Sequence, residues 1–270
     1  MKLQLPRLGV GTNKWGAAGK GADTIAPVFS AAIDAGAGLI DTAEMYQSGR
    51  SEQVIGECMR RDSRPVVVVS KFTPWPWRLS PKTLPKALDA SLARLGTKKI
   101  DLYMIHFPFT LLDIPTLLEL LAEAVRAGKI GAVGVSNFDA RRTHDAAKTL
   151  ERHGLPLAAN EVHYSLWHRK PEKNGVLEAC RALDIPLIAY YPLRSGKLSG
   201  NASLDGALAR VAGARGKPVA QVAINWLLKR DPRVVVIPGA TSVGHLRENA
   251  AALEWTLTDE EFAAIDRASA

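Results

Sequence analysis

The stretch LPKALDASLARLGTKKIDLYMIH, residues 84–106, carries two periodicities one after the other. Leu84, Ala87, Leu88, Ser91, Leu92 and Leu95 recur on one face at helical spacing. Gly96 follows where a helix ends on a left-handed residue. Ile100–Ile105 is then a short apolar run, as suits a strand buried on both faces, and the polar His106 closes it. The next stretch repeats the unit. Leu117, Leu120, Leu121 and Ala124 share a face, Gly128 stops the helix, and Ile130–Val135 leads to Ser136. The same alternation extends in both directions. It predicts strands near 7–10, 38–42, 66–71, 100–106, 130–136, 157–163, 186–191 and 234–238, with helices between them. An extra helix is expected around 204–214 and a last one near 258–269. Eight strand–helix units without a composition break predict a single domain over residues 1–270, a closed (β/α)8 TIM barrel of the α/β class with short loops and a C-terminal helix. The rival, an open doubly wound sheet, needs a phosphate loop after its first strand. The turn from Gly9 to Gly16 lacks the third glycine at the required spacing, and no Gly-Lys-Ser/Thr loop occurs.

The chain has 270 residues, a usual size for an α/β barrel, and 47% of them are hydrophobic, which excludes disorder. Its net charge is 35 − 27 = +8. The basic residues sit in pairs such as Lys98/Lys99 and Arg141/Arg142, at the ends of apolar segments, without interleaved aromatics. That pattern speaks for solvated helix ends and against nucleic acid as a partner. Two cysteines, Cys58 and Cys180, are too few for a disulfide framework. No apolar run approaches the 18 or so residues of a spanning helix, and no secretory signal is visible. The expectation is a cytoplasmic protein that does not engage a membrane.

In such barrels chemistry gathers at the C-terminal ends of the strands. Strand two ends in Asp41-Thr-Ala-Glu-Met-Tyr46, strand three in Ser70-Lys71, and strand four in His106. Strand five ends in Ser136-Asn137, strand six carries Asn160-Glu161, and strand seven ends in Tyr190-Tyr191. The first four polar side chains, Asp41, Tyr46, Lys71 and His106, form an acid–base set. An ammonium beside a tyrosine stabilises phenolate and lowers a pKa that is ordinarily near 10. A carboxylate touching the lysine would keep it charged and aimed; touching the tyrosine, it would raise the phenol pKa instead. His106 could donate a hydrogen bond to a substrate oxygen. Singly, each has a plainer reading: an Asp cap, a packed His, a Lys reaching solvent.

With these residues in view, the chain resembles the aldo-keto reductases over nearly its whole length. The matching stretches are Gly38-Leu-Ile-Asp-Thr-Ala-Glu-Met-Tyr46 with Gly49-Arg-Ser-Glu52 and Ile55-Gly56; Val69-Ser-Lys71; and Asp101-Leu-Tyr-Met-Ile-His106. Gly128 to Phe138 and Ile237-Pro-Gly-Ala-Thr241 with Glu248-Asn249 complete them. The resemblance implies a nicotinamide-dependent reductase of small carbonyl compounds, with Asp41, Tyr46, Lys71 and His106 as its tetrad and Tyr46 as general acid. It implies that Ser136 and Asn137 hold the nicotinamide carboxamide and that Tyr190 stacks on the ring. Tyr191, Leu193 and Ser195 are expected along the pyrophosphate. Gly239, Ala240, Thr241, Ser242, His245, Glu248 and Asn249 are expected around the adenosine phosphate. A monomer is the family expectation, and so is NADPH.

Three departures from the family pattern stand out. Glu161 replaces a common Gln at the carboxamide position. When ionised it accepts hydrogen bonds but donates none, and its charge favours the oxidised, cationic ring; alternatively it pairs with a Lys or Arg elsewhere. His245 offers less charge to a 2′-phosphate than the usual Arg, so NADH use is possible beside NADPH. The long C-terminal loop of many members is expected to be missing here, and the substrate pocket is therefore expected to be open, walled by Trp15, Trp75, Trp77 and Phe107. The tryptophans could equally be packing plugs. The alternative function is a cofactor-binding regulatory or scaffold subunit with vestigial reductase activity. A metal enzyme is disfavoured, because the six histidines show no paired helical spacing.

Overall fold

The computed structural model describes residues 3–199 and 201–269. Eight strands form one parallel sheet in sequence order. They are β1 (Gly9–Gly11), β2 (Leu39–Asp41), β3 (Val67–Phe72), β4 (Ile100–Ile105), β5 (Ile130–Ser136), β6 (Leu157–His163), β7 (Leu187–Tyr190) and β8 (Val234–Ile237). Isolated parallel bridges Leu8↔Val236 and Gly11↔Gly239 join the first strand to the last, so the sheet closes as the alternation predicts and the open-sheet rival falls. Below this seam Arg7 donates to the carbonyls of Leu228, Asp231 and Val234. Around the barrel lie α1 (Ala22–Asp34), α2 (Arg50–Arg61), α3 (Thr83–Leu95), α4 (Ile114–Arg126) and α5 (Ala140–Glu151). The ring continues with α6 (Lys170–Lys173), α7 (Val176–Ala182), α8 (Ala202–Arg215), α9 (Val219–Arg230), α10 (Val243–Ala250) and α11 (Asp259–Ala268). The extra helix is α8, and the C-terminal helix is α11, opened by a capping box between Thr258 and Glu261.

Alternate residues of a strand face opposite sides, and this sorts the core into two parts. The larger part lies between sheet and helices. The smaller fills the lumen with Leu39, Val69, Leu102, Met104, Ala159, Ile188, Val235 and Ile237. The lumen is crowded: a Cβ on Gly134 would sit 3.0 Å from Met104 Cγ and 3.2 Å from Leu102 Cδ1. Two residues further along their strands, Asp41, Lys71, His106, Glu161 and Tyr190 form the next layer up, at the C-terminal mouth. The period of two thus converts an apolar layer into a polar one directly above it.

Candidate active site

Lys71 is wholly buried and anchors the polar layer. Its Nζ donates to Asp41 Oδ2 at 2.6 Å and to the Thr42 carbonyl at 2.9 Å. Asp41 therefore touches the lysine, the arrangement that keeps the ammonium charged. A third neighbour is Glu161 Oε2 at 3.2 Å. The ammonium lies 5.4 Å from the centre of the Tyr46 ring. Burial disfavours the ammonium, but Asp41, Glu161 and Tyr46 outweigh it, and the Lys71 pKa is raised. Tyr46 opens a short 3-10 turn, Tyr46–Gly49, in which Gln47 and Ser48 hold left-handed φ angles of 50° and 55°. Non-glycine residues avoid that region, so the turn is held from outside. Gln47 donates to the Asn13 carbonyl, and Ser51 at the start of α2 bonds to Thr12 and Thr42.

The expected acidified phenol is not what this geometry gives. Burial pushes the Tyr46 pKa upward, Lys71 lowers it, and Asp41 and Glu161 raise it again, so the balance lies above the ordinary value. Burial is the largest cause, and the one ammonium that opposes it also faces two carboxyl groups. His106 completes the set, its ring edge-on to Tyr46 with centroids 5.8 Å apart. Its Nδ1 lies 3.3 Å from Thr73 Oγ1, and Phe107 stacks on its other side at 4.3 Å. Burial, then Lys71, holds the imidazole pKa down to about 2, so His106 is neutral, with one ring nitrogen able to donate a hydrogen bond and the other to accept one.

A cleft of about 430 Å³ runs from this set across the barrel mouth. Asp41, Tyr46, Tyr190, Tyr191, Leu193 and Ser195 line one end; Gly239, Ala240, Thr241, His245, Glu248 and Asn249 line the other. Ser242 lies at that end as the cap of α10, accepting from the His245 backbone. Ser136, Asn137 and Glu161 are not in the wall. They form a network beneath it: Tyr190 Oη donates to Asn137 Oδ1 (2.9 Å), Asn137 Nδ2 to Ser136 Oγ (3.0 Å), and Ser136 Oγ to the Glu161 carbonyl (3.1 Å). Tyr191, Arg194 and Ser195 have left-handed backbones, which fold the loop after β7 along the cleft. Sequence reading missed the loop after β1. Asn13 and Lys14 line the cleft, and Lys14 brings it a cation. The signal was the position of that loop at the C-terminal end of a strand. Thr73, two residues past Lys71, was missed in the same way.

The expected substrate wall divides. Trp15 is a correction: it is fully buried, its indole N–H donates to the Ala240 carbonyl at 2.8 Å, and it plugs the core. Trp75 and Trp77 stack on each other with centroids 4.9 Å apart, and Trp77 is 71% exposed. Leu79, Phe109 and Leu111 are exposed on the same loops after β3 and β4. Phe107, against His106, is the aromatic that adjoins the polar layer. Among the described residues no group of three or more His, Cys, Asp or Glu could hold a metal ion.

The aldo/keto reductase family profile matches residues 7–270. Methylglyoxal reductase YeaE of Escherichia coli is 33% identical, over 98% of this chain and 92% of its own length. A thermostable aldo-keto reductase, Tm1743, solved with the inhibitor epalrestat, superposes with a TM-score of 0.88 at 36% identity, covering 98% of this chain and 95% of that one. An aldo/keto reductase from Klebsiella pneumoniae, solved with NADP and acetate, gives 0.84 at 36% identity, covering 97% and 91%.

Proposed function

This chain belongs to the aldo/keto reductase family, and we propose that Asp41, Tyr46, Lys71 and His106 carry the proton transfer of an NADP(H)-dependent carbonyl reductase. The chemistry of the cleft fits the dinucleotide. The N-terminus of α10, the turned backbone at Tyr191–Ser195 and Lys14 offer donors to phosphates, and Tyr190 offers a ring face. When bound, the cofactor supplies a hydride to the carbonyl carbon. Tyr46 gives its proton to the carbonyl oxygen, and the alcohol leaves. Neutral His106 donates a hydrogen bond to that oxygen and orients it, while Lys71, held by Asp41, stabilises the phenolate until it is reprotonated from solvent. Thr241, Ser242 and His245 are the proposed partners of the adenosine phosphate, and Ser136 and Asn137 those of the carboxamide. The open rim suits compact aldehydes. The same reading takes residues 1–270 as one catalytic domain acting as a monomer in the cytoplasm. It is supported by the single sheet and by two unpaired thiols, and no described helix is long and apolar enough to cross a membrane.

The observation that carries the assignment is Lys71, buried and shared between Asp41 and the Tyr46 ring. The test is Tyr46→Phe, with NADPH and NADH binding followed by fluorescence and turnover followed on an aldehyde panel that includes methylglyoxal. Binding should be unchanged and turnover should drop by at least about 100-fold, the lower end of what a general acid contributes. Undiminished turnover would remove Tyr46 from the mechanism. Binding without turnover in the wild type would point to a regulatory subunit.

A further inference from the structure

Glu161 sits in the layer of the acid–base set, on the far side of the lumen from Lys71. Its carboxyl is 1% exposed, interacts with Asp41, and lies 3.2 Å from the Lys71 ammonium through Oε2. That oxygen makes no well-formed hydrogen bond. One buried cation therefore serves two carboxyl groups. With both ionised, the cluster carries a net negative charge on buried side chains; with one proton retained, it is neutral. Paired carboxyls in low dielectric keep such a proton. The other groups that Glu161 acts on are Tyr46 from the loop after β2 and Tyr190 from β7; His106 at the end of β4 shares the layer, and His163 follows on β6 itself. His106 is neutral, and both phenols are raised above their ordinary range. Ser136 and Asn137 on the β5 side are uncharged.

Resting on the cofactor reading of the cleft, we propose that Glu161 is a proton-linked selector of the nicotinamide oxidation state. With its proton, the cluster is neutral, Lys71 acts on Tyr46 without a second counter-charge, and the neutral reduced ring is accommodated for carbonyl reduction. Without it, a net negative charge lies in the layer beneath the Tyr190 end of the cleft, where it acts on Tyr190. That charge favours the cationic oxidised ring and disfavours the developing phenolate. Burial, then Asp41, raises the Glu161 pKa against the opposing pull of Lys71, so the proton is released well above the usual carboxylate range. The choice between reduction and oxidation is thereby tied to pH through a residue that receives no proton from the substrate.

Calorimetric titration of NADPH and NADP⁺ from pH 5.5 to 9.5 tests this on the intact protein. The ratio of the two dissociation constants cancels the 2′-phosphate, which both nucleotides carry. In the wild type the ratio Kd(NADPH)/Kd(NADP⁺) should rise with pH, by as much as about tenfold per unit where Glu161 titrates, the limit for one linked proton. In Glu161→Gln it should be flat and close to the wild-type value at low pH. A flat wild-type ratio overturns the selector and leaves the cofactor site standing, and so does a sloping ratio in the Gln variant. Failure of both nucleotides to bind the wild type overturns the cofactor reading itself. The wild-type series decides even if the variant does not fold.

Discussion

His106 shows what burial does to one residue. Its imidazole stays neutral in the folded protein down to about pH 2, whereas an unfolded histidine protonates near 6.5. Between those values the unfolded chain binds the extra proton, so stability falls as pH drops below 6.5, by up to about 1.4 kcal/mol per pH unit from this group. Urea unfolding of His106→Asn between pH 6.5 and 4 should show a shallower loss than wild type; equal slopes would mean that His106 is charged in the fold. At this scale the sequence was most legible where a polar residue follows an apolar run. Asp41, Lys71 and His106 each lie within one residue of a strand's end, and each reaches the mouth. That Glu161 pairs with a basic residue was one of the two expectations, but that Lys71 is the partner was not legible, because β3 and β6 are not neighbours and only closure of the barrel faces them across the lumen. Nor was the role of Trp15, whose partner Ala240 lies at the other end of the chain.

At the level of elements, periodicity placed the helices and strands within a few residues, because each buries one face in a single repeating environment. The first strand is the looser case. It was expected at 7–10 and runs Gly9–Gly11, since its start at Leu8 makes only an isolated bridge to β8. The turn Tyr46–Gly49 could not be foreseen, since Gln47 and Ser48 adopt a backbone that their side chains do not favour and that Ser51 and Asn13 impose. The pair α2–α3 supports that turn from behind. Glu52 of α2 is buried and accepts from Ser70 on β3 and Arg94 on α3. Gly56 lets the helices meet: a Cβ there would lie 2.7 Å from the carbonyl oxygens of Arg94 and Leu95, which cannot turn aside. Gly56→Ala should cost about 1–3 kcal/mol in urea unfolding. Gly206→Ala, in the exposed middle of α8 with no atom near its Cβ, should instead stabilise by about 0.5–1 kcal/mol. Equal effects at the two sites would refute the close-packing account.

For the molecule as a whole, the cleft crosses the β1–β8 seam, with Gly11 to Lys14 on one side and Ile237 to Thr241 on the other. A ligand lying there ties the two ends of the sheet together and binds only the closed barrel. NADPH at a hundred times its Kd should stabilise the fold by about 2.7 kcal/mol. For a chain of this size that amounts to a rise in melting temperature of about 5–10 °C, read by scanning calorimetry. An unchanged melting temperature at saturating NADPH would place the nucleotide elsewhere. On the loops after β3 and β4, Trp77, Leu79, Phe109 and Leu111 project from segments that the barrel does not need in order to close. Their packing contributes little to the core, so exchanging them costs the fold little. The acid–base layer cannot change so freely, because each member is buried against the others. Substitutions can therefore accumulate on these loops while the layer beneath stays fixed, and this face of the molecule can change by drift before any change reaches the floor.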